Sequence, residues 1–288
     1  MSLLTSLLRR RDIWKRIAIE RLTEPLHLNV IAAGLALLGS TRSKIAFDLL
    51  PRQHHAFGLL HAADTALARG ARSVTIVELG VGSGTGLINL CDLAIRVSKA
   101  TGIAFHIVGF DTGVGMPPPV DFRDHPELYK EGWFPMGDRE ALMTRLPSNA
   151  RLILGDLRDT IPKFVETLQA ESPLGFVTLD VDFYSSSKHA LALLQGPPSC
   201  YFPYISVYVD DMALPTNSYY AGELLAISEF NRDNQFRKLE FDWNLEHKRV
   251  FKHAEWLSHM FKLQVLDHPE RNDLRRPNVV VSLQNPYL

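Results

Sequence analysis

The residues from Ser73 to Leu90 encode a strand, a tight turn and a helix, and this stretch constrains the fold more than any other. The apolar, β-branched residues 74–77 predict a buried strand. Four glycines then alternate with other residues: Gly80, Gly82, Gly84 and Gly86. Glycine adopts positive φ freely and lets a ligand approach the backbone, and the helix that follows presents unpaired N–H groups. We therefore expect this turn to bind a ligand.

Strand and helix patterns alternate along the rest of the chain. Further strands are predicted at residues 104–110, 151–154, 175–179, 204–209, 238–241 and 279–283. Helices are predicted in between, at residues 51–70, 85–99, 138–145, 160–170, 185–194 and 219–231. Strands separated by helices pair in parallel through right-handed crossovers. The predicted fold is α/β, with a doubly wound, mostly parallel, Rossmann-like sheet.

The first 50 residues are predicted to form a helical extension of a single domain that spans residues 51–288. Residues 3–22 mix leucine and isoleucine with arginine and lysine, which is typical of an amphipathic helix packed on the domain or on a second subunit. Contact of residues 1–22 with a membrane surface is the alternative. Residues 26–38 predict a buried helix, because a bilayer requires ~20 apolar residues. We expect a homo-oligomer, most simply a dimer.

Composition restricts the partners and the compartment. The formal net charge of −1 gives no indication of nucleic-acid binding. Cys91 and Cys200 are far apart and lack metal-type spacing, so neither a disulfide nor a zinc site is predicted. We expect a reducing, cytoplasmic location.

Five successive predicted strands end in acidic residues. These are Glu78, Asp111, Asp156, the pair Asp180 and Asp182, and the pair Asp210 and Asp211. In a doubly wound sheet the carboxyl ends of the strands face one crevice, so these side chains are expected to converge. Any one of them also fits a helix cap. Seven carboxylates at one edge repel each other, however, unless a cationic or donor-rich ligand offsets their charge.

S-adenosylmethionine fits this pattern better than a nicotinamide dinucleotide does. The dinucleotide fingerprint requires a third glycine at position 85, which is Thr85, and Glu78 would repel a pyrophosphate. S-adenosylmethionine carries a sulfonium and an ammonium but no phosphate. We expect Glu78 at its methionine end, Asp111 at its ribose and Asp156 at its adenine. The predicted cofactor-binding residues are Glu78, Gly80, Gly82, Gly84, Gly86, Asp111, Thr112, Asp156, Leu157 and Asp180.

Several motifs resemble those of a known family. The segment ELGVGSGTG (78–86) resembles class I S-adenosylmethionine-dependent methyltransferases. The segments GFDTGVGMP (109–117), LDVDFYSSSKHAL (179–191) and VYVDDM (207–212) resemble the macrocin and mycinamicin sugar O-methyltransferases. The likeness spans residues 51–211. It implies methylation of a hydroxyl on a sugar or another small molecule.

The resemblance also implies a magnesium ion held by Asp182, Asp210 and Asp211, which would activate and position the acceptor oxygen. Asp180 is the reserve ligand, because it points to the same side of an extended segment as Asp182. Asp182 is the expected general base, with Lys188 and His189 as alternatives.

The region around the acids also raises alternatives. The loop 112–137 is the expected lid over the acceptor. The aromatic cluster at residues 243–259 is expected to be a packing helix, and a sugar-binding wall is the alternative. An NAD-dependent oxidoreductase and a non-catalytic protein that retains the cofactor fold are the alternative functions.

Overall fold

The structure, a computed structural model, describes residues 19–213 and 218–273. The helices are α1 (Leu26–Leu38), α2 (Thr41–Ala46), α3 (Gln53–Arg69), α4 (Thr85–Thr101), α5 (Arg139–Arg145), α6 (Leu157–Val165), α7 (Tyr184–Ala190), α8 (Gly222–Asp233), α9 (Leu245–Lys248) and α10 (Pro269–Asn272). The strands are β1 (Ser73–Leu79), β2 (Ala104–Asp111), β3 (Ala150–Leu154), β4 (Leu174–Leu179), β5 (Tyr201–Val209), β6 (Arg237–Phe241) and β7 (Met260–Val265). Short 3₁₀ segments lie at Phe122–Asp124, Leu191–Gln195, Pro198–Cys200, Asp210–Ala213 and Glu255–His259.

All seven strands form one sheet in the order β3-β2-β1-β4-β5-β7-β6. The strands from β3 to β5 pair in parallel, whereas β7 runs antiparallel to both β5 and β6. The chain order reverses between β1 and β4, and ligands of such sheets bind outside the carboxyl ends of the strands at this point. The predicted doubly wound, mostly parallel sheet is confirmed.

Helix ends position the two central strands. α3 ends at Gly70, whose φ of 72° allows its N–H to bond to the carbonyl groups of Ala66 and Leu67. β1 then begins at Ser73 and β4 is buried along its whole length. Continuous burial explains why both strands are apolar runs rather than alternating patterns.

The prediction of a buried helix at residues 26–38 was correct for the helix and wrong for its burial. Among the residues of α1 only Ala32 is buried, and Leu37 and Leu38 are 83% and 92% exposed. Apart from His27 and Asn29 in its first turn the helix is apolar, so its sequence has no continuous polar face that would indicate the exposed side.

The C-terminal half of the sheet was predicted only in part. β6 coincides with the predicted strand 238–241, whereas β7 lies in a stretch to which no element was assigned. The predicted strand 279–283 and most of the predicted helix 3–22 lie outside the described residues.

The described part of the N-terminal extension contacts the C-terminal region. The Glu24 carboxylate accepts backbone N–H bonds from Lys252 and His253, at 2.6 and 3.0 Å. The proposed boundary at residue 50 stays a prediction. Cys91 and Cys200 are both free and buried. Within the described ranges, no helix is long and apolar enough to cross a membrane.

Candidate active site

The glycine turn brings the loops after β1 and β4 into contact. Gly80 has a φ of 86°, and a Cβ at this position would lie 1.7 Å from the carbonyl oxygen of Asp180. Only glycine meets both conditions. Gly82 also has positive φ, at 51°, and no other atom lies within 4 Å of the Cβ that a side chain would add there. The turn therefore leaves open space at Gly82 above the start of α4.

Glu78, the last polar residue of β1, lies under the first turn of α4. A Cβ at Gly86 would lie 2.0 Å from its Oε1. The residue is only 5% exposed, and Oε2 has no hydrogen-bond partner among the described residues. Burial raises its pKa to about 8, while the positive charge of Arg52 opposes this shift and the negative charge of Asp111 adds to it. An unpaired, buried carboxyl oxygen favours a cationic ligand group beside it.

Asp111 connects two loops through backbone hydrogen bonds. Its Oδ2 accepts the N–H groups of Val81 and Gly82 at 3.0 and 2.8 Å, and its Oδ1 accepts that of Gly113 at 2.6 Å. Each carboxylate oxygen has more than one lone pair, so capacity for ribose hydroxyls remains.

Asp156 is the N-cap of α6. Its carboxylate accepts the Arg158 backbone N–H at 2.8 Å and binds the Arg158 guanidinium at 2.7 Å, and these bonds lower its pKa. The capping role that the sequence also allowed is therefore present. Its contact with adenine stays a prediction.

The acids after β4 and β5 form one cluster. The charges of Asp211 and Asp210 both act on Asp182, so the three carboxyl groups lie close together. Loss of solvation, followed by the charge of Asp211, raises the pKa of Asp182 to about 7. Asp180 also has a raised pKa, through loss of solvation and the charges of Asp210 and Asp182. Asp182 has a φ of 58°, a strained conformation for a residue with a side chain.

Sequence reasoning missed Glu223, which supports this cluster. It lies in the first turn of α8 and is 1% exposed. Its Oε2 accepts the backbone N–H of Asp211 at 3.3 Å, and its Oε1 lies 3.5 Å from the backbone nitrogen of Val181. Burial and the charge of Asp211 raise its pKa well above the usual value. The sequence feature that could have indicated Glu223 is the position of an acid between Gly222 and the apolar residues 224–227.

Asp124 was also missed, and it fixes the loop 112–137. It is fully buried and accepts the N–H of Val120, the N–H of Ser185 and the Ser185 hydroxyl, each at 2.8 Å. From the same loop, the Tyr129 hydroxyl donates to Asp211 at 3.1 Å. The predicted lid is therefore attached to the start of α7 and to the acid cluster.

The glycine turn, the acids and the lid enclose a cavity of about 730 Å³. Every predicted cofactor and metal residue except Gly84 lines it. Gly84 is instead the N-cap of α4, where a Cβ would lie 2.5 Å from Leu142. The lid contributes Val120, Trp133 and Phe134, which are exposed apolar residues.

The alternative bases and the aromatic cluster have other partners. Lys188 forms an ion pair with Glu229 at 3.0 Å, whereas His189 lines the cavity. Trp256 and His259 are buried, as the packing interpretation of residues 243–259 requires, although Trp243 is 73% exposed.

The donor chemistry of the acid cluster suits magnesium, and its binding by Asp182, Asp210 and Asp211 stays a prediction. Carboxylate oxygens are its preferred ligands. Among residues 19–213 and 218–273, however, no three Asp, Glu, His or Cys side chains are placed to hold a metal ion. Asp210 accepts the Tyr208 hydroxyl at 2.8 Å, and Asp211 accepts the Tyr129 hydroxyl at 3.1 Å.

Comparison with solved structures bears on the fold. The calicheamicin methyltransferase CalS11 superposes with a TM-score of 0.50 and 18% sequence identity, over 83% of this chain and 91% of that chain. The chain has a class I methyltransferase fold. The O-methyltransferase NovP is also similar, with a TM-score of 0.48 and 16% identity over 73% of this chain and 78% of that chain. No protein-family model and no curated protein matches the chain.

Proposed function

We propose that this protein is an S-adenosylmethionine-dependent O-methyltransferase acting on a hydroxyl of a small molecule or sugar. The observation that carries the proposal is the acidic cavity at the switch point, with the unpaired Oε2 of Glu78 in its wall. A sulfonium and an ammonium would offset these charges, whereas a pyrophosphate would add to them. The name of the similar structure CalS11, a calicheamicin methyltransferase, agrees with the transferase part of this proposal.

In the proposed reaction, the acceptor oxygen attacks the methyl carbon in line with the carbon–sulfur bond. The bond electrons return to sulfur, which leaves S-adenosylhomocysteine, and the hydroxyl proton passes to a carboxylate. Asp182 is the proposed acceptor of that proton, because a pKa of about 7 allows it to be ionised and to bind a proton near neutral pH. The lid residues Trp133 and Phe134 provide an apolar wall for the acceptor.

Magnesium is a separate proposal, through which no step above is routed. An ion held by Asp182, Asp210 and Asp211 would offset the mutual repulsion of these acids and would activate the acceptor oxygen. Thermal unfolding tests this without turnover. If the site forms, magnesium raises the unfolding temperature of the wild type and not of Asp211→Asn; an equal rise in both proteins removes the assignment.

We also propose that a second copy of the chain covers α1. Its exposed apolar residues include Leu26, Val30, Leu37 and Leu38, and a helix without charges is unfavourable in water. Contact of the same surface with a membrane is the competing outcome. The cytoplasmic location stays a prediction.

Product analysis tests the transferase. Wild-type protein incubated with S-adenosylmethionine and a panel of sugars and phenols is expected to form S-adenosylhomocysteine together with a methylated acceptor, detected by mass spectrometry. Asp182→Asn is expected to bind S-adenosylhomocysteine but to transfer at least tenfold more slowly, because the proton acceptor is lost. Methylation of an amine instead of a hydroxyl would contradict the O-methyltransferase proposal.

A further inference from the structure

Arg52 is a cation that faces the acidic cavity and has no partner of its own. It precedes α3 and its side chain is exposed. The guanidinium forms no hydrogen bond or ion pair with any residue that the structure describes, yet it lines the cavity and its charge acts on Glu78. A guanidinium whose N–H donors are free can bind both oxygens of a carboxylate.

The other basic side chains on the cavity wall are Arg158 and His189. Arg158 is already bound to Asp156 through its backbone N–H, Nε and guanidinium. The charges of Arg158 and Asp156 both act on His189, so these groups lie together at the α6 end of the cavity. Within residues 19–213 and 218–273, Arg52 is therefore the basic side chain at the Glu78 end of the cavity that forms no ion pair or hydrogen bond.

The backbone of Arg52 holds the side chain in this place at a conformational cost. Its φ of 50° and ψ of 69° lie in the left-handed region, which costs a residue with a side chain more than glycine. Its carbonyl oxygen accepts the N–H groups of His55 and Ala56, at 2.9 and 3.2 Å, so the strained residue forms the first turn of α3. Strained residues of this kind concentrate at ligand sites.

We propose that Arg52 binds the α-carboxylate of the methionine part of the cofactor. This rests on the proposed function. The methionine part has one anionic group and two cationic ones, while the described residues of the surrounding wall include several acids and this one unpaired cation. With Glu78 facing the ammonium, the two residues would recognise both ends of the amino acid. A ligand without the carboxylate would lose the contact with Arg52 alone.

Paired ligands test the assignment by calorimetry on the full chain. S-adenosylhomocysteine carries the carboxylate, whereas S-adenosyl-3-thiopropylamine keeps the thioether and the amine but lacks it. Arg52→Gly removes the side chain and also relieves the positive φ, so its unfolding temperature is expected to equal or exceed that of the wild type. It should bind S-adenosylhomocysteine about tenfold more weakly, since the lost bond is charge-assisted but partly exposed to water, and bind the amine as the wild type does.

Arg52→Lys should recover part of the affinity, because it keeps the charge without the fork. Arg96→Gln is the control for net charge, since Arg96 is exposed on α4 and does not line the cavity. Equal losses for both ligands, or no loss for either, would overturn the role of Arg52. If the wild type binds neither ligand, the proposed function itself fails.

Discussion

Gly80 has a backbone conformation and a neighbour that each exclude a larger side chain. Its φ is 86°, and a Cβ would enter the space of the Asp180 carbonyl oxygen. The close approach of Gly80 to this carbonyl group determines the distance between the loops after β1 and β4. It therefore also determines the entrance to the space beside Glu78. The residue therefore links the packing of the sheet to the shape of the cavity.

Gly80→Ala is expected to weaken binding of S-adenosylhomocysteine at least tenfold, because the two loops must separate. Gly70→Ala is the matched control, since Gly70 also has positive φ, 72°, but nothing lies within 4 Å of the added Cβ. The control is expected to lose roughly 1 kcal/mol of stability from the backbone alone, and Gly80→Ala more. Calorimetry and urea unfolding measure the two effects. Equal affinity in both variants would show that this contact does not shape the site.

Because burial raises the pKa of Glu78, the stability of the folded protein should fall as the pH rises. Its pKa is raised from 4.5 to about 8 on folding, so the folded protein holds a proton that the unfolded chain has released between these values. Its contribution to stability is fully present below pH 4.5 and is lost as the pH rises through 8, by at most about 1.4 kcal/mol per pH unit.

Glu78→Gln removes this titration, so the free energy of unfolding of the ligand-free variant should fall less between pH 5 and 8 than that of the wild type. Urea unfolding at several pH values measures the difference. The variant should also bind S-adenosylhomocysteine more weakly, because it cannot supply a carboxylate for the ammonium. Identical pH slopes for the two proteins would contradict the raised pKa.

Residue types at strand ends could be assigned to the site from the sequence, but their partners could not. The positions of Glu78, Asp111 and Asp182 follow from where the strands end. The proximity of Asp182 to Asp211, and the support from Glu223, depend on how the loops after β4 and β5 pack against α8. Nothing in the local pattern specifies that packing.

The lid is the element that connects the cofactor half of the cavity to the acceptor half. It follows β2 and contains the 3₁₀ segment Phe122–Asp124. Asp124 binds it to α7, and Tyr129 binds it to Asp211. The length and composition of the loop predicted a functional segment, whereas these attachments required the structure.

Asp124→Asn is expected to destabilise the protein by roughly 2–4 kcal/mol, since a buried carboxylate that accepts three hydrogen bonds is replaced by a group with fewer acceptor sites. Limited proteolysis should cut within residues 112–137 faster than in the wild type. Asp121→Asn is the control, because Asp121 is only partly buried and pairs with the neighbouring Arg123. Equal cleavage of both variants would show that Asp124 does not hold the lid.

At the scale of the whole molecule, the parallel part of the sheet could be predicted and its antiparallel edge could not. The regular alternation of strands and helices determines the order of β1 to β5, because right-handed crossovers leave few topologies. β7 follows β6 along the chain but lies between β5 and β6 in the sheet, and it runs antiparallel to both, so the alternation of strands and helices does not predict its place. The exposure of α1 could not be predicted from the sequence either, because an apolar helix does not indicate which surface covers it.

Light scattering tests the proposed pairing through α1. The wild type is expected to be a dimer, and replacement of Leu37 and Leu38 by glutamate should give a folded monomer, because both side chains are exposed in the single chain. Asp92→Glu on α4 keeps the charge of a surface residue outside the cavity and serves as a control. A monomeric wild type that binds anionic vesicles would favour the membrane alternative.

The acidic cavity at the switch point is predicted to bind S-adenosylmethionine. Calorimetric titration of the wild-type chain with S-adenosylhomocysteine and, separately, with NADH tests it most directly. We predict binding of one S-adenosylhomocysteine per chain and no binding of NADH, because the acids around Glu78 repel a pyrophosphate. Binding of NADH without binding of S-adenosylhomocysteine would contradict the assignment of this cavity to S-adenosylmethionine.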